Sequence, residues 1–318
     1  MSTYHLQSVF RPQSVAVIGG SPRERSAGRA VMRNLRSTGF PGKVAWINPR
    51  YSDIDGIRTV KRLKDLDWVP ELVVITAPAS IVPQVVATAA ERGVAAAIIL
   101  TANLGQGPGS LAEQVETAAR AKGLRILGPH CLGVIAPHAR LNASIAAHFP
   151  QAGDLALISE SSAIAAALVE WGVARSVGFS AVVSLGVQDG RVQLQQRALF
   201  ERLMSLLQPT DVVVSTWEHD GHPDHDTTGQ VARSACTARG CAYLAAPVWM
   251  WHWAAPGDAR VPWRRLRGLP LGAAEGLRKQ AALAAHRSQL SPRGAQVGAV
   301  LGPAIVERAA WRTEYYFV

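Results

Sequence analysis

Short apolar runs rich in β-branched residues alternate with amphipathic stretches along most of this 318-residue chain. Runs such as "SVAVIGG", "VAWINP" and "LVVITAP" end in Gly or Pro and are typical of buried strands, whereas "GSLAEQVETAARAKG" spaces its apolar residues as a helix does. Strands that alternate with helices predict a parallel sheet covered by helices. We therefore predict an α/β protein with two doubly wound, Rossmann-like domains whose sheets are mostly parallel.

The same alternation starts again after "FPQAGD", with "LALISES", "FSAVVSLG" and "DVVVSTW" as further strand candidates. A chain of this length favours two domains over one, because single cores stop growing at about 250–300 residues. We place the first domain at residues 1–147 and the second at residues 148–318.

Composition narrows the classes of partner. The formal charge is +10, but the lysines are few, the arginines are spread along the chain, and no basic run is interleaved with aromatic residues, so a nucleic-acid partner is not expected. No apolar run reaches about 18 residues and the N-terminus has no signal-peptide core, so we expect a cytoplasmic protein without a membrane partner. The three cysteines Cys131, Cys236 and Cys241 are expected to be reduced thiols, mostly buried.

The segment "SVAVIGGSPRERSAGRAV" places Gly19, Gly20 and Gly28 between the first predicted strand and the first predicted helix. Glycine lets the backbone approach a phosphate there, and a helix N-terminus supplies free N–H donors. The spacing is not the regular GxGxxG. Because a tight strand-to-helix turn also needs glycine for steric reasons, a purely structural role stays open.

Six separated motifs now support a family resemblance. In order they are "VAVIGGSPRERSAGRAVMRNL", "INPRY", "ITAPA", "ILGPHCLGVI", "LNAS" and "GDLALISESSAIAAALVEWG" with "GFSAVVSLG". Residues 8–187 thereby resemble the N-terminal part of the NDP-forming acyl-CoA synthetases, a succinyl-CoA-ligase-like family with a CoA-binding Rossmann domain. The resemblance implies a small-molecule ligand, which is CoA or a related adenine nucleotide.

That family binds the CoA nucleotide with its glycine-rich turn and its strand ends. The resemblance implies a phosphate cradle and an adenosine border; the cradle is Gly19, Gly20, Ser21, Ser26 and Gly28, and the border is Asn48, Pro49, Thr76 and Pro78. For Asn48, Pro49 and Pro78, ordinary turn chemistry is an equally good explanation.

The chain also departs from the family. His130 replaces the usual Asn, and Glu160 and Ser162 replace Gln and Gly; a carboxylate at residue 160 would repel a phosphate brought to that helix N-terminus. The family's phosphorylated-histidine loop and ATP-grasp partner are not found. We therefore expect binding of CoA or acyl-CoA without complete ligase activity.

Residues 215–230 follow directly after the apolar run "DVVV" and hold three histidines and three aspartates, all between residues 219 and 226. This segment and "VQDGRV", "APVWMWHWAAPGDARVPW", "RKQAALAAHRSQL" and "YYFV" make residues 188–318 resemble the C-terminal part of the PIG-L/LmbE zinc-dependent N-deacetylases. The resemblance implies that His225 is a zinc ligand and that His222 and Asp224 are catalytic. It makes deacetylation of an N-acetyl sugar or a similar amide the alternative function.

The family's HPDD motif, which supplies its other ligands and its general base, is missing. Ser159, Glu160, Ser161 and Ser162 occupy its place. Zinc hydrolases normally use three protein ligands and a nearby carboxylate. We therefore expect an incomplete set of zinc ligands here, and whether zinc binds stays open. Alternatively, the histidines are polar residues without a metal role at the start of a helix, and Asp220 or Asp226 caps that helix.

The second domain is thus expected to be a hybrid, ligase-like over residues 148–187 and deacetylase-like over residues 188–318. A recombined gene and an engineered chimera both fit this pattern, and a homo-oligomer is left open. For Trp249, Trp251 and Trp253, core packing in a strand and turn is favoured over a rim for sugar stacking.

Overall fold

The computed structural model describes residues 5, 7–105, 107–159, 161–184, 190–292 and 298–318. The chain forms two compact units, residues 1–188 and residues 189–318. Both contain β-strands and α-helices, and the first contains a five-stranded parallel sheet, which confirms the predicted α/β, Rossmann-like class. None of the described helices is long and apolar enough to cross a membrane.

Unit 1 contains five helices and eleven strands among its described residues. The helices are α1 (Gln7–Phe10), α2 (Ala27–Ser37), α3 (Val82–Glu91), α4 (Leu111–Lys122) and α5 (Ser162–Ala174). The strands are β1 (Ser14–Ile18), β2 (Lys43–Ile47), β3 (Asp53–Ile54), β4 (Ile57–Arg58), β5 (Leu72–Ile75), β6 (Ala96–Ile99), β7 (Arg125–Leu127), β8 (Gly133–Ala136), β9 (Leu141–Ser144), β10 (Ala152–Ser159) and β11 (Phe179–Ser184).

The main sheet of unit 1 has the strand order β2-β1-β5-β6-β7, and all of its pairings are parallel. The chain leaves β1 toward one side to form β2 and later returns to its other side to form β5. This reversal is a topological switch point, where open α/β sheets bind ligands. Ile18 lies opposite both Ile47 and Ile75, so the three strands end at one level.

A second sheet of unit 1 has the order β10-β11-β8-β9 and mixes parallel with antiparallel pairs. The boundary predicted between residues 147 and 148 crosses this sheet, whereas the contacts within the chain separate residues 1–188 from residues 189–318. The sequence analysis did not find β8 and β9; β8 begins with a glycine, and β9 contains an Asn and a Ser, so neither is a continuous apolar run.

A buried amide connects α2 to the end of β9, the edge strand of this second sheet, and to the segment just after it. Asn34 is 4% exposed, and its Nδ2 donates to the carbonyls of Ser144 at 2.9 Å and Ala146 at 2.8 Å. Because buried carbonyls need a partner, one side chain satisfies two groups that would otherwise be costly. This contact helps to fix α2 in unit 1.

Unit 2 contains six helices and four strands among its described residues. They are α6 (Gln196–Leu206), β12 (Val212–Thr216), α7 (Pro223–Arg239), β13 (Ala242–Ala246), α8 (Met250–Trp253), β14 (Leu266–Pro270), α9 (Ala273–Ala285), α10 (Arg287–Leu290), α11 (Pro303–Ala309) and β15 (Thr313–Phe317). The sheet order is β12-β13-β15-β14, in which only β12 and β13 pair in parallel.

The tryptophans after β13 form a one-turn helix, α8, where the sequence predicted a strand and turn. Trp251 and Trp253 pack against a cluster that includes Trp217 and Phe317, as the core-packing interpretation expects. No disulfide joins the three cysteines, all of which lie in the described ranges; Cys131 and Cys236 are buried, and Cys241 is half-buried.

Replacing Asn34 by Ala should lower the free energy of unfolding of unit 1 by about 2 kcal/mol, because two buried carbonyls lose their donor. Urea unfolding followed by circular dichroism measures the loss. Arg36→Ala, at an exposed position of the same helix, is the matched control and should change stability little. Equal stability of the two variants would contradict the role given to Asn34.

Candidate functional site

The carboxyl ends of β1, β2 and β5 meet at one edge of the main sheet of unit 1. The amide of Gly19 donates to the carbonyl of Ile47 at 2.9 Å, and the amide of Thr76 donates to that of Ile18 at 2.9 Å. The residues predicted for the cradle and its border follow these strands or begin α2. The structure therefore brings together at one edge the residues that the sequence analysis assigned to a nucleotide site.

Gly19 and Gly28 allow a very close approach of α2 to the end of β1. A Cβ added to Gly28 would lie 2.3 Å from the carbonyl oxygen of Gly19, and Gly19 itself has a φ of +96°. A Cβ on Gly19 would lie within 2.9 Å of the backbone at Thr76 and Ala77. Side chains at either position would push the helix or β5 away, so the steric explanation for these glycines holds whether or not a ligand binds.

Gly20 differs from its neighbours. A Cβ there would come close only to the end of the Met32 side chain, with the Sδ at 2.9 Å, and would make an ordinary contact with the Cδ1 of Ile54 at 3.8 Å. Because a methionine side chain can move aside, packing alone does not strictly require glycine at residue 20. This position can therefore test the cradle without displacing the backbone.

The two predicted serines organise the turn and the start of α2. Ser26 is the N-cap, since its Oγ accepts the amide of Arg29 at 3.2 Å, and its hydroxyl donates to the carbonyl of Arg23 at 2.8 Å. Ser21 Oγ accepts the amide of Arg23 at 3.2 Å. The cap on Arg29 leaves the amides of Ala27 and Gly28 without an intrahelical acceptor, as at any helix start.

Asn48 closes the site on the β2 side. It is 9% exposed, its Nδ2 donates to the carbonyl of Gly20 at 2.5 Å, and its Oδ1 accepts the amide of Arg50 at 2.8 Å. The side chain thus holds the glycine turn to the end of β2. Pro49 and Arg50 follow at exposed positions.

On the β5 side, Thr76 is half-buried, and its Oγ1 donates to the carbonyl of Ile18 at 3.2 Å; Pro78 is exposed two residues later. Sequence reasoning did not place Thr101 at this edge, although its hydroxyl donates to the carbonyl of Ala77 at 2.8 Å and its own carbonyl accepts the amide of His130 at 3.2 Å. The polar residue directly after the run "AAIIL" was the available signal.

Unit 2 contains a separate polar cluster around a buried carboxylate that was predicted only as a helix cap. Asp220 is 0% exposed and accepts the amides of Val248, Trp249 and Met250 at 2.8–2.9 Å. The Nδ1–H of His225 donates to its Oδ2 at 2.6 Å. Burial would raise the pKa of Asp220, but the hydrogen bonds from His225 and the three amides outweigh it and hold that pKa below its ordinary value.

The other predicted residues of this cluster have different surroundings. Asp224 is 3% exposed, and its carboxylate accepts the amides of Gly190 and Val192 at 2.6 Å and 3.1 Å, so it anchors the segment before α6. His222 is the N-cap residue of α7 and stacks on Trp249 with 5.9 Å between ring centroids. Its buried Nδ1 has no hydrogen-bond partner in the described part of the chain.

The rings of His222 and His225 lie 4.6 Å apart, centroid to centroid. Across the residues that the structure describes, however, no group of three His, Cys, Asp or Glu side chains is arranged to hold a metal ion. Glu160, which stands where the HPDD motif would be, lies outside the described residues. The metal role of His225 and the catalytic roles of His222 and Asp224 stay predictions.

Comparison with known proteins shows what the N-terminal part is similar to. Residues 13–137 match the family model of the CoA binding domain. An ADP-forming acetate–CoA ligase of Methanocaldococcus jannaschii is 37% identical over 199 residues, which are 62% of this chain and 28% of the ligase. The alpha subunit of ADP-forming acetate–CoA ligase I of Pyrococcus furiosus is 37% identical over 188 residues, 57% of this chain and 41% of the subunit.

The N-terminal part of the chain is therefore similar to the CoA-binding part of the ADP-forming acyl-CoA synthetases, and the chain spans less than half the length of these two relatives. Among solved structures, the dinucleotide-forming acetyl-coenzyme A synthetase 1 of Ca. Korarchaeum cryptofilum superposes with a TM-score of 0.60. The two chains are 24% identical, and the superposition covers 75% of this chain and 59% of the synthetase chain. This shows a shared fold. These relatives lend no support to the expected deacetylase-like part.

Asp220→Asn should lower the free energy of unfolding of unit 2 by about 3 kcal/mol at pH 7, because the buried charge that His225 and three amides stabilise is lost. A carboxyl with a lowered folded-state pKa stabilises above its ordinary pKa and loses that contribution as the pH falls through the folded value. The difference from the wild type should therefore shrink below about pH 4.

Urea unfolding followed by tryptophan fluorescence measures this difference, since six of the nine tryptophans lie in residues 189–318. Glu307→Gln, which removes an exposed carboxylate from the same unit, is the matched control. An Asp220→Asn protein as stable as this control at pH 7 would show that the carboxylate is not a structural anchor.

Proposed function

We propose that the carboxyl edge of the main sheet in unit 1 binds CoA or an acyl-CoA. The observation that carries this proposal is the match of residues 13–137 to the CoA binding domain, over the stretch that holds the whole predicted cradle. The edge lies at a topological switch point, where ligands bind in open α/β sheets.

In this proposal the pyrophosphate lies at the N-terminus of α2. The amides of Ala27 and Gly28 donate to it, and the positive end of the helix dipole stabilises its charge. The close contact between Gly28 and the carbonyl of Gly19 keeps the helix start next to the end of β1. Gly20, which has no side chain, leaves room for the phosphates above the turn.

The end of β2 suits a phosphorylated ribose. Dinucleotide-binding Rossmann domains use an acidic residue near this position to hold a free ribose hydroxyl, and a basic residue to hold a ribose phosphate. This chain has Arg50 there, with its backbone fixed by Asn48. The 3′-phosphate of CoA is therefore a better ligand for this turn than the unmodified ribose of NAD.

We expect saturable CoA binding in a calorimetric titration of the full chain, and at least tenfold weaker binding by Gly20→Asp than by Gly20→Asn. Both variants displace the Met32 side chain in the same way, but only the first adds a negative charge beside the phosphates, a repulsion of about 4 kcal/mol at 4 Å in a partly screened site. Equal affinities would contradict a phosphate cradle at Gly20.

NAD is the ligand control in this titration and should bind at least tenfold more weakly than CoA. A chain that released no heat with CoA and kept its wild-type circular dichroism would overturn the proposed function itself. Arg36→Gln, at the far end of α2, is the protein control. It changes the net charge of the chain by the same amount as Gly20→Asp, but away from the site.

We further propose that residues 1–318 by themselves bind CoA without completing a ligase reaction. The regions similar to acetate–CoA ligases amount to 28% and 41% of those two proteins, which supports a role in the CoA-binding step. Incubation of the purified chain with acetate, CoA and ATP should yield no acetyl-CoA by liquid chromatography, whereas CoA binding persists. Catalytic formation of acetyl-CoA would overturn this part of the proposal and leave the CoA site intact.

A further inference from the structure

Unit 2 contains a half-open cavity of about 280 Å³ that neither the CoA site nor the His225 cluster uses. It is lined by residues 246–248 at the end of β13, by Trp251 of α8 and Lys279 of α9, by one side of α11, and by Trp311 and residues 313–316 of β15. Ligand pockets of drug-sized molecules measure roughly 300–1,000 Å³, so this cavity suits a ligand of about one ring.

Aromatic side chains form much of the lining. Trp251 and Tyr315 meet edge to face with 5.8 Å between ring centroids, and Trp311 and Tyr315 meet likewise at 6.1 Å. Trp311 is nevertheless 43% exposed, so part of its ring is open to a further contact. A further ring placed there would gain the offset or edge-on contacts that aromatic pairs prefer.

One of the two cations that line the cavity is not neutralised by a carboxylate. Lys279 Nζ lies 3.0 Å from Glu314 Oε1 and also donates to the carbonyl of Trp311 at 3.2 Å, so this pair is internally neutral. Arg308 lines the same cavity and pairs with no carboxylate within the described ranges of the chain. The wall therefore carries a net charge of about +1 on Arg308.

Contacts with Trp251 hold the guanidinium of Arg308 in place but use only part of its N–H donors. One Nη1–H donates to the carbonyl of Trp251, and the group lies 5.7 Å from the centroid of the Trp251 ring. A guanidinium has five N–H donors, so this single bond leaves several for a planar, two-oxygen acceptor. The contact with Trp251 fixes the guanidinium group at the aromatic end of the cavity.

We propose that this cavity binds a small aromatic carboxylate. The carboxylate accepts hydrogen bonds from Arg308, and the ring lies against Trp311 and Tyr315. Lys279 is a weaker choice for the anion site, because Glu314 already neutralises it and would repel a second carboxylate. The ligand class follows from the volume, the ring-lined wall and the single unpaired cation together.

Calorimetry of the full chain with three probes tests the class without any mutation. Benzoate carries both ring and charge, benzyl alcohol carries the ring alone, and acetate carries the charge alone. We expect benzoate to bind at least about tenfold more tightly than either of the others, the loss expected when one charge-assisted pair or one ring contact is removed. Absence of benzoate binding, or equal binding of benzyl alcohol, would overturn the proposal.

Variants place the binding in this cavity. Arg308→Gln should weaken benzoate at least about tenfold, and Arg308→Lys, which keeps the charge but not the fork, should fall between that variant and the wild type. Arg267→Gln, on exposed β14 and outside the cavity wall, is the matched control and should bind as the wild type does. Wild-type affinity in Arg308→Gln would contradict the proposed anion site.

Trp311→Leu reports on the ring contact. It should weaken benzoate at least severalfold while leaving acetate unchanged, and cyclohexanecarboxylate should bind the wild-type chain more weakly than benzoate. If cyclohexanecarboxylate binds equally well, the aromatic assignment is wrong. Urea unfolding of every variant followed by tryptophan fluorescence checks that unit 2, which carries these substitutions and six of the nine tryptophans, is folded.

Discussion

The candidate nucleotide site depends on the contact between the first turn of α2 and the end of β1. At Gly28 the helix comes so close that a single added carbon would lie 2.3 Å from the carbonyl oxygen of Gly19. Only this approach brings the free amides of the helix start to the level where β1, β2 and β5 end. The anion-binding potential of the site and its steric demand for glycine therefore have one physical cause, which is why the glycine pattern alone did not separate the two explanations.

In unit 2, a buried carboxylate holds distant segments of the chain together. Asp220 has no solvent access, yet three backbone amides and the Nδ1–H of His225 satisfy its carboxylate. This ties the loop after β12 to the segment that enters α8. Asp224, for which the sequence analysis predicted a catalytic role, accepts two amides before α6. Two aspartates four residues apart thus hold different segments, because α7 begins between them and directs their side chains differently.

Much of the fold was predictable from apolar periodicity, since strands such as β1 and β5 are continuous apolar runs and α2 and α4 carry helical spacing with capping serines. The short antiparallel strands β8, β9 and β14 were not, because β8 begins with glycine and β9 and β14 contain polar residues, glycine or proline, so none of them is a continuous apolar run. At the candidate site the residues of the cradle were found by resemblance. Thr101 and the partners of Asp220 were missed, because they depend on contacts between segments distant in sequence.

The amino-acid sequence by itself determined the alternation of strands and helices, the glycine-rich turn after the first strand and the likeness of the N-terminal part to CoA-binding proteins. Those features are local, and they follow from residue type and spacing along the chain. Only the tertiary structure decided that Asn48 holds the turn to β2, that Asp220 partners His225, and that Arg308 meets a ring-lined cavity without a carboxylate partner among the described residues. Each of these is a contact between elements, and its partners are set by packing, which a linear pattern does not encode.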